Sequence, residues 1–332
     1  RYLFFYAVFL SLSFDLAVNL KLGWDAQNYW IIKSLNFING GTVQDLQNLP
    51  RPDYPYFGSY IWAVFSKLSI LEYEYFGRIF YIYLFTLSAF VISNYFNVKE
   101  FYKIIIFLLL ILILNNNYIS SGFQEILVFS YAIFLTCFFI NFQKTFKNKT
   151  KILFLLMMFF LIFWIKNEAL IFSLLFFISI IIFYPKKDIL IFSSLFFLLI
   201  ILRIFLFKLF GLNLDLQSGN YESFLIRDII QFISVEHILI ILKYFIIASF
   251  KIPIVVFIFL AVYLNFFLEK SLINKILFVN FNLNIFFIFS AYLFTSFPLV
   301  FHLSTSLDRL FFQVSGFNIL ALFILVNRFK LK

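Results

Sequence analysis

Ten apolar runs, nearly free of charge, limit what this chain can become. They are Tyr2–Leu20, Phe76–Phe96, Phe101–Leu114, Ile126–Phe142, Ile152–Ile165, Ala169–Tyr184, Ile189–Phe207, Ile238–Phe267, Ile276–Pro298 and Leu310–Val326. A helix crosses the hydrocarbon core with about 20 apolar residues, or roughly 17 when short. Lipid offers no partners to backbone groups, so runs of this kind must fold as helices. The expected fold class is therefore all-α: a polytopic integral membrane protein with about ten transmembrane helices, in a single domain over residues 1–332. Composition agrees, at 64% hydrophobic, 13% charged and a mean hydropathy of +1.00. A soluble domain of this size needs a more charged surface. The 56 Phe are expected to face lipid or pack the core rather than bind a ligand. No small-residue cleavage site precedes Gly23, so the first run is expected to remain as a span.

The connectors fix an orientation. Tyr56–Leu71 is an eleventh candidate, but Gly58, Ser59 and Lys67 make it read as a helix at the membrane interface. With ten spans and Arg1 inside, the inside segments are Arg1, Asn97–Tyr102, Gln143–Lys151, Pro185–Asp188, Leu268–Lys275 and Asn327–Lys332. With Lys103 they hold about 14 of the 26 Lys and Arg, but only Glu100, Asp188 and Glu269 among the acids. Short basic connectors stay on the cytoplasmic side. An eleventh span would put Lys144, Lys147, Lys149 and Lys151 outside. The net charge of +10 thus records orientation, and no nucleic-acid partner is expected. One cysteine, Cys137, and two histidines, His237 and His302, give no disulfide framework and no Cys- or His-rich metal site.

The outside segments are then Lys21–Tyr75, Asn115–Glu125, Lys166–Glu168, Lys208–His237 and Leu299–Arg309. The first is by far the longest, and is expected to carry amphipathic interfacial helices. Every charged group that reads as chemical falls on this one side: Asp25, Asp53, Glu125, Lys166, Glu168, His302, Asp308 and Arg309. Ionisable groups near membrane depth are functional candidates by default.

Each has a plainer alternative. Asp25 starts an amphipathic stretch in which Ile31, Ile32, Leu35 and Ile38 share a face, ending at Gly40-Gly41. It can cap that helix, with Trp24 and Tyr29 as a staple, or take a proton from an acceptor hydroxyl. Arg51-Pro52-Asp53-Tyr54-Pro55 is a rigid turn. Glu125 suits a helix N-terminus after the polar break Asn115–Gln124. Lys166 and Glu168 form either a local ion pair or a phosphate-directed lysine with its orienting acid. In His302–Arg309, Ser304 or Ser306 can cap the last span, and Arg309 needs a partner, in Asp308, Glu125 or a lipid phosphate. The sequence contains no Gly-rich phosphate loop, nucleophile elbow or HExxH.

Taken in order, Trp24-Asp25-Ala26, Trp30, Lys33, Pro52-Asp53-Tyr54-Pro55, Gly122-Phe123-Gln124-Glu125, Lys166-Asn167-Glu168-Ala169 and His302–Arg309 resemble bacterial GT-C glycosyltransferases. These are the polyprenyl-phosphate-sugar-dependent enzymes related to the protein O-mannosyltransferases and the lipid A aminoarabinose transferase. The chain departs from that pattern. Asn28 or Tyr29 stands where Trp is common, Gly58 and Ser59 where a Pro is expected, Leu127 in place of Pro, and Ala169 in place of Gly.

The resemblance implies a GT-C-like fold in the bacterial plasma membrane with its active face extracytoplasmic. It implies a polyprenyl-phosphate-sugar donor and a glycan, lipid or protein acceptor. Asp25 would be the catalytic base, giving inversion at the anomeric carbon. Lys166 and Arg309 would hold the leaving phosphate. Lys33, Asp53, Tyr54, Glu125, Glu168, His302 and Asp308 complete the expected substrate-binding set. A divalent cation, Mg or Mn, is permitted by the carboxylates but not required. The competing reading is a transporter or flippase of lipid-linked saccharides, which calls for repeats or broken spans at mid-membrane depth. A glycan polymerase or ligase would place its large loop late in the chain, whereas here it comes first.

Overall fold

The computed structural model describes residues 1–70, 73–96, 98–142, 149–184, 186–212, 234–295 and 298–330. Most of two expected connectors, Gln143–Lys151 and Lys208–His237, lies outside the described residues, as does Leu71. The protein is all-α, with no strand among the described residues.

The helices are α1 (Tyr2–Asn19), α2 (Ile31–Ile38, continuing a π-helical turn Ala26–Trp30), α3 (Phe57–Leu68), α4 (Tyr75–Asn94), α5 (Glu100–Leu114), α6 (Glu125–Phe142) and α7 (Lys149–Phe163). They continue as α8 (Asn167–Phe183), α9 (Lys186–Leu209), α10 (Val235–Lys251), α11 (Ile254–Leu268), α12 (Leu272–Leu293), α13 (Leu299–Asn318) and α14 (Leu320–Lys330). Four are long and apolar enough to cross a membrane: α1, α4, α12 and the Ile189–Leu209 part of α9. Counting each of the bent pairs α10–α11 and α13–α14 as one span brings the number to six. The helices α5, α7 and α11, at 15 residues each, fall short of the usual span of about 20.

Helix α6 is the centre of the bundle, packed against α4, α7 and α13. Ile126, Leu127, Val128, Phe129, Ala132 and Ile133 are all closed off, as expected of a helix apolar on every side. Against it, α13 comes unusually close. Phe129 stacks on Phe312 at 4.5 Å. A Cβ at Gly316 would lie 2.6 Å from the Phe129 carbonyl oxygen, so only glycine permits this approach. Helices α12 and α13 run antiparallel: the Tyr292 hydroxyl meets Ser306 Oγ at 2.7 Å, and Asn280 Nδ2 donates to Asn318 Oδ1 at 3.0 Å.

Two expected spans need correction. Ile238–Phe267 is two helices meeting at 102°. The break falls at Pro253, which has no N–H to give and whose ring excludes the preceding helical turn. The last span does not start at Leu310. Its helix begins at Leu299, so His302–Arg309 is helical and Ser304 and Ser306 cap nothing. The hydroxyls of Thr305 and Ser306 donate back to the carbonyls of Phe301 and His302, which keeps this polar stretch within the helix.

The first loop is folded against the bundle. Helix α3, with 12 residues, is about 18 Å long and too short to span. Helix α2 buries Lys33 and Ser34 beside Trp30 and leaves Leu35 43% exposed. Polar groups on the protein side and an apolar residue facing outward suit a helix lying on a membrane surface. At the opposite end of the bundle, Arg1 pairs with Glu100 at 2.9 Å, Arg328 pairs with Glu269, and Asn327 donates to the Tyr95 carbonyl. Among the segments read as inside, that of Arg1 thus meets that of Glu100, and that of Glu269 meets that of Arg328.

Gly316→Ala should lower stability by about 1–3 kcal/mol, because the atoms met are the rigid backbone of α6. Thermal unfolding in detergent measures this, and an unchanged midpoint would contradict the close approach.

Candidate functional site

A buried arginine in α4 brings the start of the first loop to the α5–α6 loop. Arg78, fully buried, pairs with Glu74 and donates to the carbonyls of Lys21 at 3.1 Å and Ser120 at 2.8 Å. Gly23 N donates to the Ser121 carbonyl at 2.9 Å alongside. Asp25 and Glu125, 100 positions apart, therefore enter the same space. Arg78 sits within the second apolar run. A cation inside an apolar run is the sequence signal for it.

From α13, Arg309 reaches both acids. Its Nη1 contacts Asp25 Oδ2 and lies 3.5 Å from Glu125 Oε1. The α7–α8 connector adds Lys166, whose Nζ donates to Glu125 Oε1 at 2.8 Å and lies 3.9 Å from Glu168. So Asp25, Glu125, Lys166, Glu168 and Arg309, from four separate segments, form one cluster. It contains three acids and two bases. Glu125 and Lys166 are buried, Asp25 and Arg309 are mostly covered, and Glu168 is 39% exposed, so the cluster opens on the Asp25–Arg309–Glu168 side. Burial opposes the charge on Lys166, but Glu125 and Glu168 outweigh it and raise its pKa. Arg309 Nε and Glu125 Oε2 are buried and make no hydrogen bond. The Phe123 ring lies 5.5 Å from the Arg309 guanidinium.

The cap reading of Asp25 is not realised. Its backbone is already helical and its side chain makes no capping bond, because the carboxylate is turned onto Arg309. The staple contact is present: Trp24 meets Tyr29 edge-on at 5.5 Å. The pairing of Lys166 is chiefly with Glu125 rather than with its near neighbour Glu168.

Lys33, Asp53 and Tyr54 form a second group beside the cluster. Lys33 Nζ, buried, donates to the carbonyls of Arg51 at 2.8 Å and Tyr54 at 2.7 Å. Arg51, at a left-handed φ of 53°, clasps the Asp53 carboxylate with Nε and Nη2 at 2.9 and 2.8 Å. The Tyr54 ring stacks on Trp30, with the Arg51 guanidinium 4.1 Å from its centre. Asn167 Nδ2 donates to the Asp53 carbonyl at 3.3 Å and joins this turn to the lysine connector. Arg203 in turn donates to Asn167 Oδ1, a link with no sequence signal beyond a cation in an apolar run. Asp53 and Lys33 therefore hold the turn itself.

Asp308 and Arg309 point apart, as consecutive helical residues must. Asp308 lies 3.9 Å from Lys251 of α10. His302 Nδ1 meets Thr295 Oγ1 at 2.7 Å and its ring packs on Tyr292. Gly58 leaves room for the Gln124 side chain, whose Oε1 would lie 1.5 Å from a Cβ there.

The carboxylates of the cluster alternate with cations rather than facing one another. Among the described residues, no group of three His, Cys, Asp or Glu side chains is arranged to hold a metal ion. The residue types suit an anion at the cations and hydroxyls at the carboxylates, with Asp25 occupying Arg309 in this structure.

Burial lowers the Lys33 pKa from 10.5 to about 7, with Asp53 opposing the shift. A base whose pKa falls on folding gives up its proton on folding at pH values between the two. Stability from this group therefore rises with pH from about 7 to 10.5 and is lowest below 7. Wild type should gain thermal stability over that window relative to Lys33→Met, in melts recorded from pH 6 to 10. Parallel curves would contradict the burial.

No protein-family model, curated protein or solved structure matches this chain.

Proposed function

We propose that the chain is an integral-membrane glycosyltransferase that moves a sugar from a polyprenyl-phosphate donor to an extracytoplasmic glycan, lipid or protein acceptor, with inversion. The observation that carries the reading is the convergence of Asp25, Glu125, Lys166, Glu168 and Arg309 at one end of the bundle.

In this reading the membrane is that of a bacterial cell, crossed ten times, by α1, α4 to α9, α11, α12 and the bent α13–α14. The helices α2, α3 and α10 lie along the outer interface. The near-perpendicular break before α11 supports this place for α10. The cluster then sits at the outer interface, where a lipid phosphate resides and the sugar projects from it.

The chemistry follows from the residue types. The acceptor hydroxyl gives its proton to the Asp25 carboxylate as its oxygen bonds to the anomeric carbon. The bond from that carbon to the phosphate oxygen breaks, and its electron pair leaves on the phosphate. Arg309 and Lys166 stabilise the developing negative charge. Glu125, held between both cations, fixes their positions, and the partly exposed Glu168 orients sugar hydroxyls. No step is routed through a metal.

One observation favours the second reading, a transporter or flippase: the 102° break at Pro253, since broken spans are characteristic of transporters. Two measurements separate the readings. Purified protein in detergent should turn over a polyprenyl-phosphate sugar with no sealed compartment present, which a transporter cannot register. Asp25→Asn should lower transfer about a hundred- to ten-thousandfold, the usual worth of a general base. Full transfer by Asp25→Asn in membranes supplied with donor would remove Asp25 from the base role.

A further inference from the structure

The residue roles proposed above conflict in the structure. The base and the phosphate ligand occupy each other: Asp25 is bound to the guanidinium that is to receive the donor phosphate. That guanidinium is closed off in part. Its Nε is buried, and the Nη1 that contacts Asp25 also lies 3.5 Å from Glu125. The cluster already carries one more acid than base, so a further anion adds repulsion unless a carboxylate withdraws.

Glu125 cannot be the one to leave. It is fully buried and bonded to Lys166, and moving it would strand that lysine in the interior. Glu168 does not contact Arg309 and has no place to vacate. Asp25 is the carboxylate placed to withdraw. It keeps 16% of its side-chain surface, makes no capping bond, and stands at the head of a π-helical turn. Such turns are wider than α-helix, are held by fewer constraints, and recur at functional sites.

We infer that Asp25 and the donor phosphate compete for Arg309, so that phosphate binding is what releases the Asp25 carboxylate to act as base. The inference rests on the glycosyl-transfer reading and adds its regulation. Without donor, the base is held on Arg309 and turned away from an acceptor. With donor, the phosphate takes the guanidinium and the freed carboxylate turns to the acceptor hydroxyl. Deprotonation is thereby confined to the complex in which an electrophile is present. Linkage requires reciprocity: if phosphate loosens Asp25, the charge of Asp25 weakens phosphate binding by the same factor.

The experiment measures binding of a short-chain polyprenyl monophosphate to the full chain in detergent, for wild type, Asp25→Asn and Asp25→Ala. Both variants should bind about tenfold more tightly than wild type while losing transfer. Inorganic phosphate in a parallel titration separates the contribution of the phosphate from that of the lipid. Because loss of the ion pair can unfold the variants, wild type alone gives a second reading. The Asp25 carboxylate should react faster with a water-soluble carbodiimide, followed by peptide mass spectrometry, once the monophosphate is added. Equal or weaker binding by the folded variants, or unchanged labelling of Asp25, overturns the competition and leaves the glycosyl-transfer reading standing. Failure of the monophosphate to bind wild type and variants alike overturns both.

Discussion

A carboxylate sealed inside an apolar bundle is costly unless it is paired, and Glu125 is such a group. Its requirement for cations dictates where α8 and α13 stand relative to α6. Lys166 must enter from the α7–α8 connector, and Arg309 must project from the α13 face that carries Phe312 and Gly316 and packs on Phe129. Neither cation would be tolerated at that depth without Glu125, and Glu125 would not be tolerated without them. The close glycine-mediated approach of α6 and α13 is what brings Arg309 within reach. Asp25 then completes the set from the first loop, 284 positions away in sequence. Packing and electrostatics are thus one constraint seen from two sides.

The same device is used in the loops, with carbonyl groups in the role of the acid. Chain ends of helices leave carbonyls without partners. Arg78 takes those of Lys21 and Ser120, and Lys33 takes those of Arg51 and Tyr54. Arg78 fastens two pieces of irregular backbone to α4, and Lys33 fastens one turn to α2. Thus the polar first loop lies beside the cluster, with Trp30, Leu46 and Trp62 buried and Trp24, Leu35 and Tyr60 left to face outward. Lys33 and Asp53 shape the turn that sets Tyr54 against Trp30, one helical turn from Asp25. They act on the site at one remove.

What could be read from the sequence follows this division. Apolar runs become helices because lipid-like surroundings leave the backbone no other way to pair, so α1, α4 and α12 sit where hydropathy puts them. Hydropathy fails where a local feature overrides it. Pro253 breaks an apolar run that composition alone reads as continuous. The run His302–Arg309 reads as a loop because it is polar, yet its hydroxyls bond back along the helix and stay within it. The residues of the cluster could be listed in advance because charges are rare and fell on one side of the predicted topology. Their pairing could not. Asp25 has the sequence context of a helix cap, and only the position of Arg309 turns it away from that role. Long-range contacts of this kind are absent from any local window.

The account depends most on Asp25 and Arg309 acting as one electrostatic unit. A double-mutant cycle with Asp25→Asn and Arg309→Gln, read as unfolding free energy in detergent, tests this without knowledge of any substrate. The account predicts a coupling of about 1.5–3 kcal/mol, the upper part of the range for groups in direct contact. Additive effects, within about 0.5 kcal/mol, would contradict it.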